Sequence, residues 1–141
     1  DLMQKLVRDG RIEEKSITRT YQAEVQGNIR GESGTMSENI GKDRHHPNRR
    51  VVSHSGQHAV THYEVIQRYK GTCVVNLVLE TGRTHQIRVH LEYLGHPIVG
   101  DTLYGARETK EGTYALHAIQ LEFDHPFLNE RITVKDEPRT N

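Results

Sequence analysis

The strongest constraint on the fold is a two-residue period of apolar side chains that returns along most of the chain. Between Thr72 and Glu80, Cys73, Val75, Leu77 and Leu79 occupy alternate positions, and alternation of this kind lines one face of an extended strand. From Ser16 the same period sets Ile17, Arg19, Tyr21, Ala23 and Val25 against Thr18, Thr20, Gln22 and Glu24. Further strands are predicted over Val60–Tyr69 and over Tyr114–Phe123, the latter with Ala115, Ile119 and Leu121 inward. Lys70-Gly71 is a hairpin signal between two of them. A sheet with one apolar face needs a cover, and two segments change to helical spacing. Leu2, Met3, Leu6 and Val7 share one side of a short helix ended by Gly10. Thr84 is the predicted cap of a second helix that runs to Leu94, buries Ile87, Leu91 and Leu94, and ends at Gly95 before Pro97. Residues 27–58, rich in Gly, Ser, Asn, His and Arg, are predicted as loops and short edge strands. The class that fits is α+β, a mainly antiparallel or mixed sheet with a few helices packed on it.

Composition narrows the setting. At 141 residues and 33% hydrophobic content the chain matches one domain or most of one. Its 19 basic and 19 acidic side chains cancel, so any affinity for nucleic acid must come from local placement. Cys73 has no partner for a disulfide, and no apolar run approaches the ~20 residues of a membrane span. A cytoplasmic protein without membrane association is the expectation. The chain opens on Asp1-Leu2-Met3, inside a helical pattern, as a cut or partial protein would.

Chemistry concentrates at Glu80–Leu91, where a strand passes through a Gly turn into a helix studded with polar heads. His85, Arg88 and Glu92 fall on one helix face. A guanidinium held there can grip a carboxylate or phosphate; the plainer alternative is a solvated face with an Arg88–Glu92 pair. Tyr21, on the apolar face with Ile17 and Val25, is by its position a core tyrosine. Lys42, Arg44, Arg49 and Arg50 form a basic cluster, either a phosphate-facing rim or a solvated loop. His54, His58 and His62 recur every four residues, but Gly56 and the strand onset at Val60 argue against a helix, and no metal site is expected. His90, His117 and His125 are expected to satisfy hydrogen bonds within the fold, and Cys73 to be core.

Thr81-Gly82-Arg83-Thr84-His85-Gln86-Ile87-Arg88-Val89-His90, followed by Leu94-Gly95-His96-Pro97-Ile98-Val99-Gly100-Asp101-Thr102-Leu103-Tyr104-Gly105, resembles the signature of RluA-type RNA pseudouridine synthases. Two more blocks agree in type and order, Thr20–Gly27 upstream and His117–Phe127 downstream, so that the resemblance covers about Leu2 to Val134. It implies a pseudouridine synthase-like fold, residues 1–141 being the C-terminal portion of one catalytic domain. It also implies isomerisation of uridine to pseudouridine in structured RNA without metal or redox cofactor, by detaching the uracil, turning it and rejoining it through carbon.

That family's nucleophile is an aspartate in an H-R-L-D-x-x-T-S-G motif, a pattern that residues 1–141 do not contain. The resemblance therefore places it upstream and predicts that this chain alone is inactive. Tyr21 matches the strand tyrosine that stacks on the flipped uracil with an acid–base part, and Arg88 the arginine that pairs with the catalytic aspartate. Arg83, Thr84, His85 and Gln86 match the cleft-lining loop, and Ile87 an apolar position at the cleft floor. The implied partner is RNA, ribosomal before transfer RNA, with an N-terminal RNA-binding domain a common companion in the family. A module that binds RNA without turnover, or a truncated half-domain, is the alternative.

Overall fold

The computed structural model describes residues 2–12, 18–124 and 131–135. Its elements are α1 (Leu2–Arg8), β1 (Thr18–Gln26), β2 (Ser33–Met36), β3 (Ile40–Lys42), β4 (Arg50–Val52), β5 (Thr61–Arg68), β6 (Thr72–Leu79), α2 (Gln86–Leu94), a 3-10 turn (Thr102–Tyr104), β7 (Leu116–Asp124) and β8 (Arg131–Lys135). Six strands form one sheet in the order β2-β5-β6-β1-β7-β8, and β3 and β4 form a separate ladder. All the pairings are antiparallel. The α+β class follows, and the sheet is antiparallel rather than mixed. Ile17, His125, Pro126, Phe127 and the side chain of Leu121 lie outside the described residues.

The alternation of β6 became its two faces. Cys73, Val75 and Leu77 are fully buried and pack with Ala23 and Val25 of β1 and Ile87 and Leu91 of α2. Each such side chain, withdrawn from water, contributes roughly 1.5–3 kcal/mol, so this face is the main core. The opposite face is also covered: Val78 packs with Leu2 and Leu6 of α1. Thr20, expected on the solvent face, stands opposite Val78 in the ladder and is buried, whereas Arg19 is exposed. A single-sided sheet was the wrong premise there, because α1 closes the second side. The β5–β6 turn forms at Lys70-Gly71, with Gly71 at φ 83° and the Tyr69 N–H donating to the Thr72 carbonyl at 2.9 Å. Ile66 is a bulge, skipped between the pairs Val65–Val75 and Gln67–Val74, and so remains exposed.

Helix α2 differs from expectation at both ends. It begins at Gln86, and the residue before it, His85, is left-handed at φ 56° and ψ 22°. Thr84 is therefore not its cap. At the C-terminus Gly95 closes a Schellman turn, its N–H donating to the Glu92 carbonyl and that of His96 to Leu91. Leu94 is exposed, while Val89 and His90 are buried. The reason is a second layer: β3, β4 and the 3-10 turn pack on the outer side of α2, where Ile40, Ala59, Val89 and Tyr104 form their own cluster. The helix is thus held between two sheets near its start and extends past both in its last turn.

The other histidines resolve individually. His62 sits on β5, bonded to Thr35 and Glu80, with no helix linking it to His54 and His58. Among the described residues no three His, Cys, Asp or Glu side chains gather as metal ligands. His117 Nε2 is buried with no hydrogen-bond partner among the described residues, against expectation. No helix of the described residues is long and apolar enough to cross a membrane.

Candidate active site

The loop between β6 and α2 is built around one buried amide. Gln86 Oε1 accepts hydrogen bonds from the Thr81 hydroxyl (2.7 Å) and the Arg83 N–H (3.0 Å), and Nε2 donates to the Val60 carbonyl and Thr61 Oγ1. Every polar position of that side chain is used inside the protein, so Gln86 shapes the loop rather than facing a substrate. Ile87 is buried in the main core beside it. Arg83 and Thr84 remain toward solvent, the first with Nε donating to the His58 carbonyl at 2.7 Å.

The network continues into α2. Thr61 Oγ1 meets His90 Nδ1 at 2.8 Å, and His90 Nε2 donates to the Glu38 carbonyl at 2.8 Å. Burial, ahead of any other influence, lowers the His90 pKa, with Glu38 acting in the opposite sense. His90 therefore sits neutral in the fold, both ring nitrogens satisfied, as its sequence context suggested.

Around Arg88 the structure assembles a centre that spacing did not reveal. Its Nε and Nη2 donate to the two carboxylate oxygens of Asp101 at 2.9 and 2.8 Å. Asp101 is almost wholly buried and Arg88 only slightly exposed. The guanidinium lies 4.9 Å from the ring centroid of Tyr104 and 4.3 Å from that of Tyr114. The hydrogen bonds to Asp101, its largest influence, raise the Arg88 pKa. The expected helical pair does not form: Glu92 instead accepts a hydrogen bond from Arg49 at 2.6 Å, because the outer layer brings β4 over that face. Arg49 also stacks 5.3 Å from Tyr104, so one member of the expected basic rim is turned inward.

Tyr104 joins these parts. Its hydroxyl accepts the Arg50 N–H at 2.9 Å and lies 2.8 Å from His85 Nδ1. The phenol keeps its own proton after accepting from Arg50 and can donate it to Nδ1, the arrangement in which a neutral His85 carries its proton on Nε2. Desolvation first, then the charges of Arg88 and Arg50, lower the His85 pKa, opposed by Asp101. Burial raises the Tyr104 pKa, so both groups are neutral near pH 7. The strained backbone of His85 is thus held by a fixed phenol.

Asp101 is positioned by a glycine turn. Gly100 has φ 85°, and a Cβ there would lie 2.2 Å from the Thr113 carbonyl oxygen. The preceding segment pairs with β1 through the Val99 N–H to Glu24 and the Gln26 N–H to Pro97. Tyr21 is half-buried on the α2 side of β1, opposite Leu77 and Ala118. No hydrogen bond, ion pair or ring contact joins it to Arg88 among the described residues. Lys42 and Arg50 face each other across the β3–β4 ladder, and Arg44 is exposed at its far end. Asp101, Tyr104 and Tyr114 are the members that residue-by-residue reasoning missed. The signal for Asp101 and Tyr104 is the Gly100-Asp101-Thr102-Leu103-Tyr104-Gly105 block of the signature, whereas Tyr114 stands outside it at the start of a predicted strand, where nothing in the local sequence marks it.

Comparison with known proteins adds identity to this geometry. A sequence model described as RNA pseudouridylate synthase matches residues 2–93. An uncharacterized RNA pseudouridine synthase of Bacillus subtilis, YhcT, is 46% identical over 129 residues, covering 90% of this chain and 43% of the relative. Ribosomal large subunit pseudouridine synthase D of Vibrio cholerae is 42% identical over 137 residues, covering 86% and 41%. The human RNA pseudouridylate synthase domain containing 1 superposes with a TM-score of 0.71 at 28% identity, over 95% of this chain and 58% of that one. The chain thus spans about two fifths of the length of the curated relatives it matches. With the family sequence model matching 92 of its 141 residues and the sheet matching a solved member, the chain belongs to the RluA-type RNA pseudouridylate synthase family.

Proposed function

We propose that the protein containing this chain isomerises uridine to pseudouridine in RNA. In that reaction the N1–C1′ bond breaks and a C5–C1′ bond forms; the C5 hydrogen leaves as a proton and N1 gains one, with no net oxidation or reduction. The observation that carries the reading is the Arg88 centre, a nearly buried guanidinium clamped by Asp101 and in contact with two tyrosine rings. Asp101 engages Nε and Nη2, which leaves the Nη1 side to a second carboxylate, the nucleophile expected from an upstream segment. An arginine within about 4–6 Å of a carboxylate keeps it ionised. Tyr21 stacks on the extracted uracil and passes protons while the base turns. Arg83, Thr84 and His85 line the approach. Relatives named for the ribosomal large subunit support ribosomal RNA as the substrate, and transfer RNA is the second choice. The cytoplasm is the compartment where such RNA is met.

The test is tritium release from ribosomal RNA carrying uracil labelled at C5. The full-length protein releases tritium, residues 1–141 alone do not, and Arg88→Met in the full-length protein lowers release by on the order of 100-fold or more while RNA affinity changes only a few-fold. Turnover near wild type in Arg88→Met would remove Arg88 from the mechanism. Binding without release by the full-length protein would overturn the enzymatic reading.

A further inference from the structure

Between the β3–β4 ladder and the loop before α2 lies a cleft of about 360 Å³, at the small end of the range for ligand pockets. Lys42, Arg50 and Arg83 line it, and among the described residues no carboxylate does. In a chain whose charges cancel overall, three cations without an acid are a local excess. Two of them are placed at some expense to the fold. Lys42 and Arg50 are direct partners in a ladder only three residues long, and like charges facing each other across strands destabilise the pairing. An anion between them turns that repulsion into attraction.

The rest of the wall suits the same ligand. Arg83 is anchored through Nε to the His58 carbonyl, which leaves its two Nη groups for a partner. Ser55 and Thr84 add hydroxyl donors at the exposed rim. Gly56 brings backbone flat against β3, since a Cβ there would lie 2.5 Å from the Ile40 carbonyl. Cationic forks with neutral donors are the chemistry that holds phosphate oxygens. The rim at Lys42, Ser55 and Thr84 is open, so that a polymer can enter and leave, unlike an enclosed metabolite site. The Arg50 N–H donates to the Tyr104 hydroxyl at 2.9 Å, and the Arg88 guanidinium lies 4.9 Å from the centroid of the same ring, which puts the cleft next to the Arg88 centre.

We propose that the Lys42–Arg50–Arg83 cleft cradles one phosphodiester of the RNA strand, at a nucleotide flanking the one presented to the Arg88 centre. That the anion belongs to RNA rests on the function proposed above; that the cleft takes a phosphate rests on its own residues. The cradle positions the strand without reading its sequence.

The experiment is fluorescence anisotropy of a labelled RNA stem–loop with the full-length protein across a salt series. The variants are Lys42→Gln, Arg50→Gln, both together, and Lys5→Gln on α1, which packs on the other face of the sheet. Each cleft variant weakens binding several-fold whatever the loop sequence and flattens the slope of log K against log salt by about 1. The double variant loses less than the product of the single losses, because both cations hold the same phosphate. Lys5→Gln behaves as wild type. Lys42 is exposed, so Lys42→Gln tests the cradle even if Arg50→Gln perturbs the ladder. Unchanged affinity and slope in the double variant would overturn the proposal. So would saturable shifts of the Gly41 and Gly56 amide signals by inorganic phosphate with unchanged RNA affinity in the variants, which assign the cleft to a free anion. Tritium release by the wild-type protein is scored separately: cleft-dependent RNA binding without release keeps the cradle and retires the synthase reading, and release without a cleft effect does the reverse.

Discussion

Tyr104 has no exposed surface, yet its hydroxyl is where three segments meet: the Arg50 backbone from β4, the His85 ring from the loop, and its own 3-10 turn. Removing that oxygen in Tyr104→Phe leaves the Arg50 N–H unsatisfied and the left-handed His85 without its tether. The expected loss is about 1–3 kcal/mol, read as a lower urea midpoint at unchanged slope. A wild-type midpoint would mean that the hydroxyl holds nothing in place. Arg88 shows why such partnerships escape a reading of spacing. The i+4 rule pairs it with Glu92, the nearest acid on its face. The actual partner, Asp101, is thirteen residues on, beyond the Gly95 turn and the stretch that pairs with β1. Glu92 in turn takes Arg49, forty-three residues back. Such choices depend on how layers stack, which local spacing does not encode.

At the scale of elements, periodicity was informative where strands were long and either central or apolar on one face. β5 and β6 lie within a residue or two of the predicted spans, and the turn between them is at Lys70-Gly71. Residues 27–58 do hold short strands in loops, but three-residue β3 and β4 are too brief to show a period. The error at Leu94 arose because a helix gripped from two sides buries a broad arc early and none late. The β3–β4 ladder also differs in how it is held. Its close contact with the following loop depends on Gly56, where any side chain meets Ile40 backbone at 2.5 Å. Gly56→Ala is therefore expected to open this ladder while the six-stranded sheet persists, since the main core on β1, β6 and α2 is separate from the cluster around Ile40. Amide hydrogen exchange checks this directly. Protection falls at Ile40 and Val52 and stays at Val75 and Leu77; equal loss at both sets would show that the two layers unfold as one unit.

For the whole molecule, the fold class and family membership were legible because one long signature and a repeated strand period point the same way. The centre's architecture was not, since its members come from four separate stretches of the chain. That architecture gives the molecule a pH response. His85 and His90 both have pKa values below the ordinary 6.5, mainly through burial, with Arg88 and Arg50 adding to the effect at His85 and the Glu38 carbonyl and charge opposing it at His90. In the unfolded chain each titrates near 6.5. Above that pH both states carry neutral imidazoles and the two histidines leave stability unchanged. As pH falls through 6.5 toward the lower folded values, the unfolded state binds protons that the folded state refuses, so stability declines. Carboxylates titrate near 4, which leaves the interval from about pH 7.5 to about pH 5 to the histidines. Thermal unfolding followed by circular dichroism is expected to show a midpoint that drops across this interval. His90→Gln is less stable at every pH but has a shallower drop, because one of the two refused protons is gone. A midpoint that is flat or rises toward pH 5 would mean that protonation at these sites is tolerated in the fold, and that the neutral Tyr104–His85 and Thr61–His90 arrangements are not what holds α2 between its two layers.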